Sequence, residues 1–502
     1  MVVCRESHPV ALVLLFIERR GFWDRSVSSF VSKMKNSGPV IIIGAGPAGL
    51  TAAYELVRRG SLPIVIEKSD KVGGLARTEV YEGYRFDIGG HRFFTKVKEI
   101  EDLWREMLGD DFVKVKRLSR IYYKKKFYHY PLHFFNALSN LGILESSLVL
   151  LSYLKAKIKP YHDEETFEQW VVNRFGGRLY QTFFRSYTEK VWGIPCREIR
   201  ADWAAQRIQG LSFTKAIANA LFGSNGVKTL IHEFDYPVLG PGMMWGRFQK
   251  FVESHGGKIF LKTDVVRLNR EGTKVKSVTL QSGGMVQEME GPQFISTAPL
   301  HNLITRFDPR APVEVLEAAR GLKYRAFILV GLIINQPHLF PDNWIYVHSP
   351  DVRVGRIQNF KNWNPAMVPN PMKTSLGMEY FCTEGDEIWQ MSDQELIQMA
   401  TRELVRLGLA KEGVVKDGVV FRQAKAYPVY DHEYRERLSI IRSFLETIEN
   451  LQTIGRGGMH RYNNQDHSML TAMLAVENFF GEKHDLWKIN VDRAYQEEVG
   501  TK

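Results

Sequence analysis

Three glycines and one carboxylate, Gly44, Gly46, Gly49 and Glu67, stand at the spacing a dinucleotide needs for its phosphates and ribose. The run Pro39-Val-Ile-Ile-Ile-Gly44 is uncharged and β-branched, the pattern of a strand buried on both faces. It leads directly into Gly44-Ala-Gly46-Pro-Ala-Gly49, after which Leu50 to Gly60 has helical spacing and a closing glycine. Gly44 permits the tight turn, Gly46 lets backbone N–H groups approach a pyrophosphate, and Gly49 lets the helix lie close to the strand. The helix N-terminus adds partial positive charge. A second strand, Leu62 to Ile66, ends in Glu67, about 18 residues beyond Gly49, where a carboxylate can accept from both ribose hydroxyls.

Two further segments narrow the cofactor. Lys71-Val-Gly73-Gly74-Leu75-Ala-Arg77-Thr78 follows the acid, then Tyr84-Arg-Phe-Asp87-Ile-Gly89-Gly90-His91. Paired glycines let the backbone pass under a flavin, and Arg77 can reach a phosphate. The combination resembles the glutathione-reductase-type FAD domain of amine oxidases, protoporphyrinogen oxidases and UDP-galactopyranose mutases. That resemblance implies an α/β fold in which a Rossmann-like FAD domain is interleaved with a helical domain and a sheet-based substrate domain. It further implies a returning strand at Phe294 to Pro299 and a last strand and turn at Leu451 to Gly458, with Gly455 and Arg456 at the pyrophosphate. Lys68, Gly74, Leu75, Gly90, His91, Asp466, His467 and Ser468 complete the expected FAD contacts, with His91 tuning the flavin.

The substrate side resembles one branch more than the others. Tyr187-Thr-Glu-Lys-Val-Trp192-Gly193 is similar to the signature of eukaryotic-type UDP-galactopyranose mutases, and Arg207 and Arg356 fall where that family places catalytic arginines. Trp344 and Tyr346 resemble its uridine-side aromatic pair, Tyr427 its phosphate-binding tyrosine, and Arg461 to Ser468 its closing segment. The resemblance thus gives Tyr130, Tyr187, Trp192, Trp344, Tyr346, Tyr427, Tyr462 and Asn464 to the substrate, with Arg207, Arg356 and His91 as catalytic residues. Asn464 also suits the cap of a helix beginning near Asp466. Thr188, His133 and Trp363 depart from the branch pattern, so the sugar stays open to another nucleotide hexose.

The activity implied is a redox-neutral pyranose–furanose interconversion of a UDP-hexose, serving cell-surface polysaccharide biosynthesis. Reduced FAD would act as the nucleophile, through an N5–sugar adduct, with NAD(P)H or another reductant docking transiently. Arginine forks suit a diphosphate that leaves as an anion, and an aromatic ring suits uracil. The rival reading is an oxidoreductase of the amine oxidase or protoporphyrinogen oxidase type, which shares the FAD segments but needs an apolar cavity and net oxidation. A non-catalytic nucleotide binder is a third class. It gives no reason for arginines and tyrosines from separate segments to converge.

Composition bounds these readings. The chain has 502 residues, 44% hydrophobic and 25% charged, which excludes disordered and fibrous classes. Lys+Arg 67 against Asp+Glu 56 gives a net charge of +11, suited to anionic ligands, but the basic residues are scattered rather than gathered into a nucleic-acid groove. Cys4, Cys196 and Cys382 form no metal or disulfide spacing, so a reducing cytoplasm and no metal are expected. Val10 to Ile17 is an apolar run too short to span a bilayer. It reads as part of a flexible extension, 1–37, with Met34 an alternative start. Leu141 to Leu154 reads as a buried helix. The segments assign 38–100, 245–305 and 445–485 to the FAD domain, 101–205 to a helical domain, and 206–244 with 306–444 to the substrate domain. Residues 486–502 form a tail, and oligomeric state is not legible.

Overall fold

The computed structural model describes residues 38–130, 134–201 and 233–490. The 1–37 extension, His133 and Arg207 lie outside the described residues.

A parallel five-stranded sheet holds the nucleotide motif, in the order Leu451–Thr453, Gln293–Ser296, Val40–Ile43, Pro63–Ile66, Lys258–Phe260. Every residue of Val40–Ile43 is buried, because both faces of the sheet are covered. Val40, Ile42 and Val65 pack under the helices Pro47–Arg58, Gly242–Ser254 and Gln465–Phe479. Ile41, Ile43 and Phe294 pack on the other side against a four-stranded sheet and the helices Val313–Gly321 and Tyr434–Glu446. The glycine spacing has a steric cause. Gly44 has φ +101°, and a Cβ on Gly49 would lie 1.9 Å from the Gly44 carbonyl oxygen. Gly49→Ala therefore separates helix from strand at the phosphate turn. Purified Gly49→Ala protein should carry little of the expected flavin dinucleotide by its absorbance, and wild-type content would contradict this packing.

A second, seven-stranded sheet runs in the order Val415–Pro428, Tyr324–Ile334, Thr374–Cys382, Arg356–Asn359, Trp344–Val347, Ser119–Tyr123, Lys126–His129. Tyr324–Ile334, the second strand from one edge, is buried along almost its whole length. A helical layer covers the sheet's Ser119 end, comprising Phe134–Leu141, Ile143–Ile158, Phe167–Phe175 and Ser186–Trp192. Phe167–Phe175 is opened by a Thr166/Gln169 capping box and closed at Gly176.

One expectation is overturned in this layer. The Ile143–Ile158 helix forms, but it is not buried: only Val149, Tyr153 and Ala156 turn inward. Ile143, Leu144, Leu148, Leu150, Leu151, Leu154 and Ile158 are exposed. An apolar run specifies a helix without specifying which sides will be covered.

Asp87 lies beneath the Gly89-Gly90 turn, buried, accepting from Thr78 Oγ1 at 2.7 Å and from the Tyr236 hydroxyl. Burial pushes its carboxyl up to about 7, outweighing those two bonds, which favour the ionised form. The folded chain thus keeps a proton that the unfolded chain releases at lower pH, so this group's contribution to stability falls as pH rises toward 7. Asp87→Asn should remove that slope. Urea unfolding between pH 5 and 7 should show wild type losing up to about 1.4 kcal/mol per pH unit relative to the variant. Parallel curves would contradict the assignment.

Candidate active site

At the nucleotide end, Glu67 is fixed as an acceptor. Its Oε2 takes the Ala45 N–H at 2.7 Å, and its Oε1 takes the Ser69 N–H at 2.9 Å and hydroxyl at 2.7 Å. The two glycine turns face each other so closely that a Cβ on Gly74 would lie 3.1 Å from the Gly46 Cα. Gly455 closes the third side, since a Cβ there would meet Ala48 Cβ at 2.9 Å. The cradle is lined by backbone and admits no side chain, which fits a pyrophosphate. Lys68 is exposed beside Glu67, and Leu75 is half-buried beside Gly74. Arg77 is engaged within the protein, donating from Nε to Glu79 Oε1 at 2.5 Å and from Nη1 to the Gly74 carbonyl at 2.9 Å. Asn464 is the N-cap of Gln465–Phe479, bringing Asp466, His467 and Ser468 into its first turn. Burial raises the Asp466 carboxyl, whose Oδ1 is 3.3 Å from His467 Nδ1.

The predicted substrate residues gather around Arg356. It opens the strand Arg356–Asn359, in register with Glu379 on the neighbouring strand Thr374–Cys382. Arg356 Nε and Nη2 each lie 2.6 Å from Glu379 Oε2, and Gln358 Nε2 donates to Glu379 Oε1 at 2.6 Å. Burial alone would weaken the guanidinium's hold on its proton, but the fully buried Glu379 more than compensates and holds its pKa well above normal. Tyr187, Tyr346 and Tyr427 sit within its field. Tyr346 lies 4.7 Å from Tyr130 and 5.7 Å from Tyr187, ring centre to ring centre.

A second cation faces this group. The Arg456 guanidinium lies 4.7 Å from the Tyr462 ring and 5.6 Å from Tyr427, and those two rings stack at 5.6 Å. Its Nε donates to the Asn463 carbonyl at 2.9 Å. His91 Nε2 lies 2.8 Å from the Ile88 carbonyl. Burial first, then the Arg456 and Arg356 charges, push its pKa down to about 4, so the imidazole is neutral near pH 7. Arg207 belongs to 202–232, so the arginine pair that the described residues bring together is Arg356 with Arg456.

Exposure sorts the rest. His91, Tyr130, Tyr187, Tyr346, Arg356, Tyr427, Arg456 and Tyr462 are all half-buried. Trp192 and Trp344 are buried. Trp192 packs 6.2 Å from Tyr462, behind the wall. Trp344 stacks on Trp363 at 5.2 Å, and Tyr346 is the less buried member of the pair.

Sequence reasoning missed Glu379, although a lone carboxylate inside an apolar strand is itself a signal. It also missed how the turn between Tyr346 and Arg356 is held. Lys190 Nζ donates to the carbonyls of Val347 at 3.2 Å, Ser349 at 3.0 Å and Val354 at 3.0 Å, and burial pushes its pKa down to about 8. From the other side, buried Glu403 accepts the N–H groups of Arg353 at 2.5 Å and Val354 at 3.0 Å. Arg117 was likewise not foreseen; it lies 5.5 Å from the Tyr130 ring and 5.6 Å from Trp344.

Comparison with known proteins supplies the family. The profile of the flavin containing amine oxidoreductases matches residues 47–438. A probable flavin-containing monoamine oxidase A of Dictyostelium discoideum is 30% identical over 28% of this chain, and the chain spans only 33% of that relative's length. An L-amino-acid oxidase of Siganus canaliculatus is 23% identical over 80% of this chain and 76% of its own. Among solved structures, a reduced UDP-galactopyranose mutase superposes with a TM-score of 0.78 at 21% identity, covering 89% of this chain and 94% of its own. A putative protoporphyrinogen oxidase from Exiguobacterium gives 0.68 at 17% identity, covering 89% and 99%. At such identities the superpositions speak for the fold, an α/β FAD-binding architecture, while the profile spans most of the described chain. The chain therefore belongs to the flavin containing amine oxidoreductase family, and FAD is its cofactor.

Proposed function

We propose that the protein is a sugar-nucleotide mutase, interconverting pyranose and furanose forms of a UDP-hexose without net redox change. The observation that supports it is a polar cluster: Arg356 and Arg456 with the hydroxyl-bearing rings of Tyr187, Tyr346, Tyr427 and Tyr462. A substrate without an anionic group, such as a simple amine, has no use for that set of donors. FAD, when bound and reduced, supplies a nucleophile toward the anomeric carbon.

The chain's own residues manage the diphosphate. Glu379 takes Nε and Nη2 of Arg356, leaving Nη1 to meet a departing phosphate oxygen. Burial raises the Tyr187 and Tyr427 hydroxyls, which stay protonated and donate without adding charge. A neutral donor can release the phosphate again for recapture. Neutral His91 fits beside two cations where an imidazolium would be repelled. Tyr346 offers its ring to the base, and Arg207 remains a proposed second phosphate ligand. NAD(P)H or another reductant supplies electrons only to start the cycle.

The relatives support a second reading, in which Arg356 grips the carboxylate of an amino acid that is then oxidised. The two are separated by incubating dithionite-reduced holoprotein with UDP-galactopyranose and related UDP- and dTDP-sugars under argon, then resolving the sugar nucleotides by chromatography. A furanose isomer is expected. Absence of any isomer, together with peroxide formed from an L-amino acid in air, would overturn the mutase reading.

A further inference from the structure

The outer face of the Ile143–Ile158 helix has no partner among the described residues. Ile143 is 89% exposed, Leu144 78%, Leu151 62%, Leu154 47% and Ile158 84%, with Leu148, Leu150 and Tyr161 beside them. Of the 16 exposed large hydrophobic residues among the described residues, these eight fall between 143 and 161, so the exposure is one patch rather than scatter. Exposed lysines stand at both of its ends, with Asp163 and Glu165 exposed beyond Tyr161. Lys124, Lys125 and Lys126 form the exposed tip of the adjoining hairpin, where Lys126 Nζ donates to the Asn140 carbonyl and Lys124 acts on Glu145. Lys155 and Lys159 are exposed at the other end. The carboxylate inside the patch, Glu145, is taken by Arg178.

We infer that this face docks on an anionic lipid surface, the helix lying in the plane of the headgroups. Its 16 residues span about 24 Å, short of the roughly 30 Å hydrocarbon thickness, so it lies on a bilayer rather than crossing it. No helix among the described residues is long and apolar enough to cross a membrane. Leucines enter the boundary while the flanking lysines meet lipid phosphates, the two signals that peripheral attachment requires. A second copy of the chain is the poorer occupant. With lysines at both ends, either two-fold pairing of the helix, parallel or antiparallel, sets lysine against lysine. A bilayer of negative headgroups neutralises both ends together.

The test is sedimentation of full-length holoprotein with vesicles, either pure phosphatidylcholine or phosphatidylcholine with phosphatidylglycerol. Binding to the anionic vesicles is expected, weakening as salt is raised. Leu151→Asp with Leu154→Asp should weaken it at least about tenfold. Lys124→Asn with Lys125→Asn should weaken it about thirtyfold; asparagine suits the left-handed backbone there, φ +48° and +61°. FAD content and unfolding temperature serve as controls that the variants fold. No anionic-vesicle binding, or binding that both variants leave unchanged, overturns the proposal. So does light scattering that shows a dimer which Leu151→Asp dissociates.

Discussion

Arg356→Ala is expected to lower kcat/KM for the sugar nucleotide about 10²–10³-fold, the usual consequence of deleting one preorganised donor to a developing anion. FAD content should be unchanged, because the cofactor cradle is built by the Gly44–Gly49, Gly73–Gly74 and Gly455 turns. Arg356→Lys should recover little, since an ammonium cannot hold Glu379 and a phosphate oxygen with one rigid fork. In the proposed mutase reaction the loss should fall mainly on kcat, because a departing diphosphate gathers charge. Steady-state kinetics on the reduced enzyme checks this. Wild-type kcat in the alanine variant would remove Arg356 from the chemistry.

Glu379→Ala should be the most destabilising single change at the site. It leaves the Arg356 cation half-buried without its counter-charge and strips the Gln358 amide of its acceptor. Breaking one side of such a pair costs about 3–5 kcal/mol, and the exposed part of Arg356 places the expected loss toward the lower end. Glu379→Gln keeps an acceptor while removing the charge, and should fall between alanine and wild type. Urea unfolding of the FAD-loaded proteins measures the order. A loss below about 1 kcal/mol in Glu379→Ala would mean that the buried pair is not what holds Arg356.

What could be read from residues alone follows the range of the forces involved. Gly44, Gly49 and Glu67 act within one strand–turn–helix–strand unit, so their spacing already contained the steric reason for each. Gln465–Phe479 begins at Asn464 because a capping side chain is a local device. Glu379 is different: it meets Arg356 only through the register of two antiparallel strands, which no local pattern reveals. The same holds for Trp344, whose orientation toward Trp363 is settled by tertiary packing. The apolar run Leu141 to Leu154 marked a helix where Ile143–Ile158 forms, yet its outward leucines depend on what else packs there, and among the described residues nothing does. Lys190 sat inside a motif read for its aromatic residues, while its three carbonyl partners come from a turn over 150 residues away.

Redox neutrality is the central claim, and counting electrons against product tests it most directly. Holoprotein reduced once and kept under argon is given excess UDP-galactopyranose, while flavin absorbance and furanose product are followed together. Many turnovers per flavin, with the absorbance remaining that of the reduced cofactor, is the expected result; oxidised protein should give none. Product limited to one equivalent per flavin, with reoxidation in step, or equal turnover by the oxidised protein, would contradict the account.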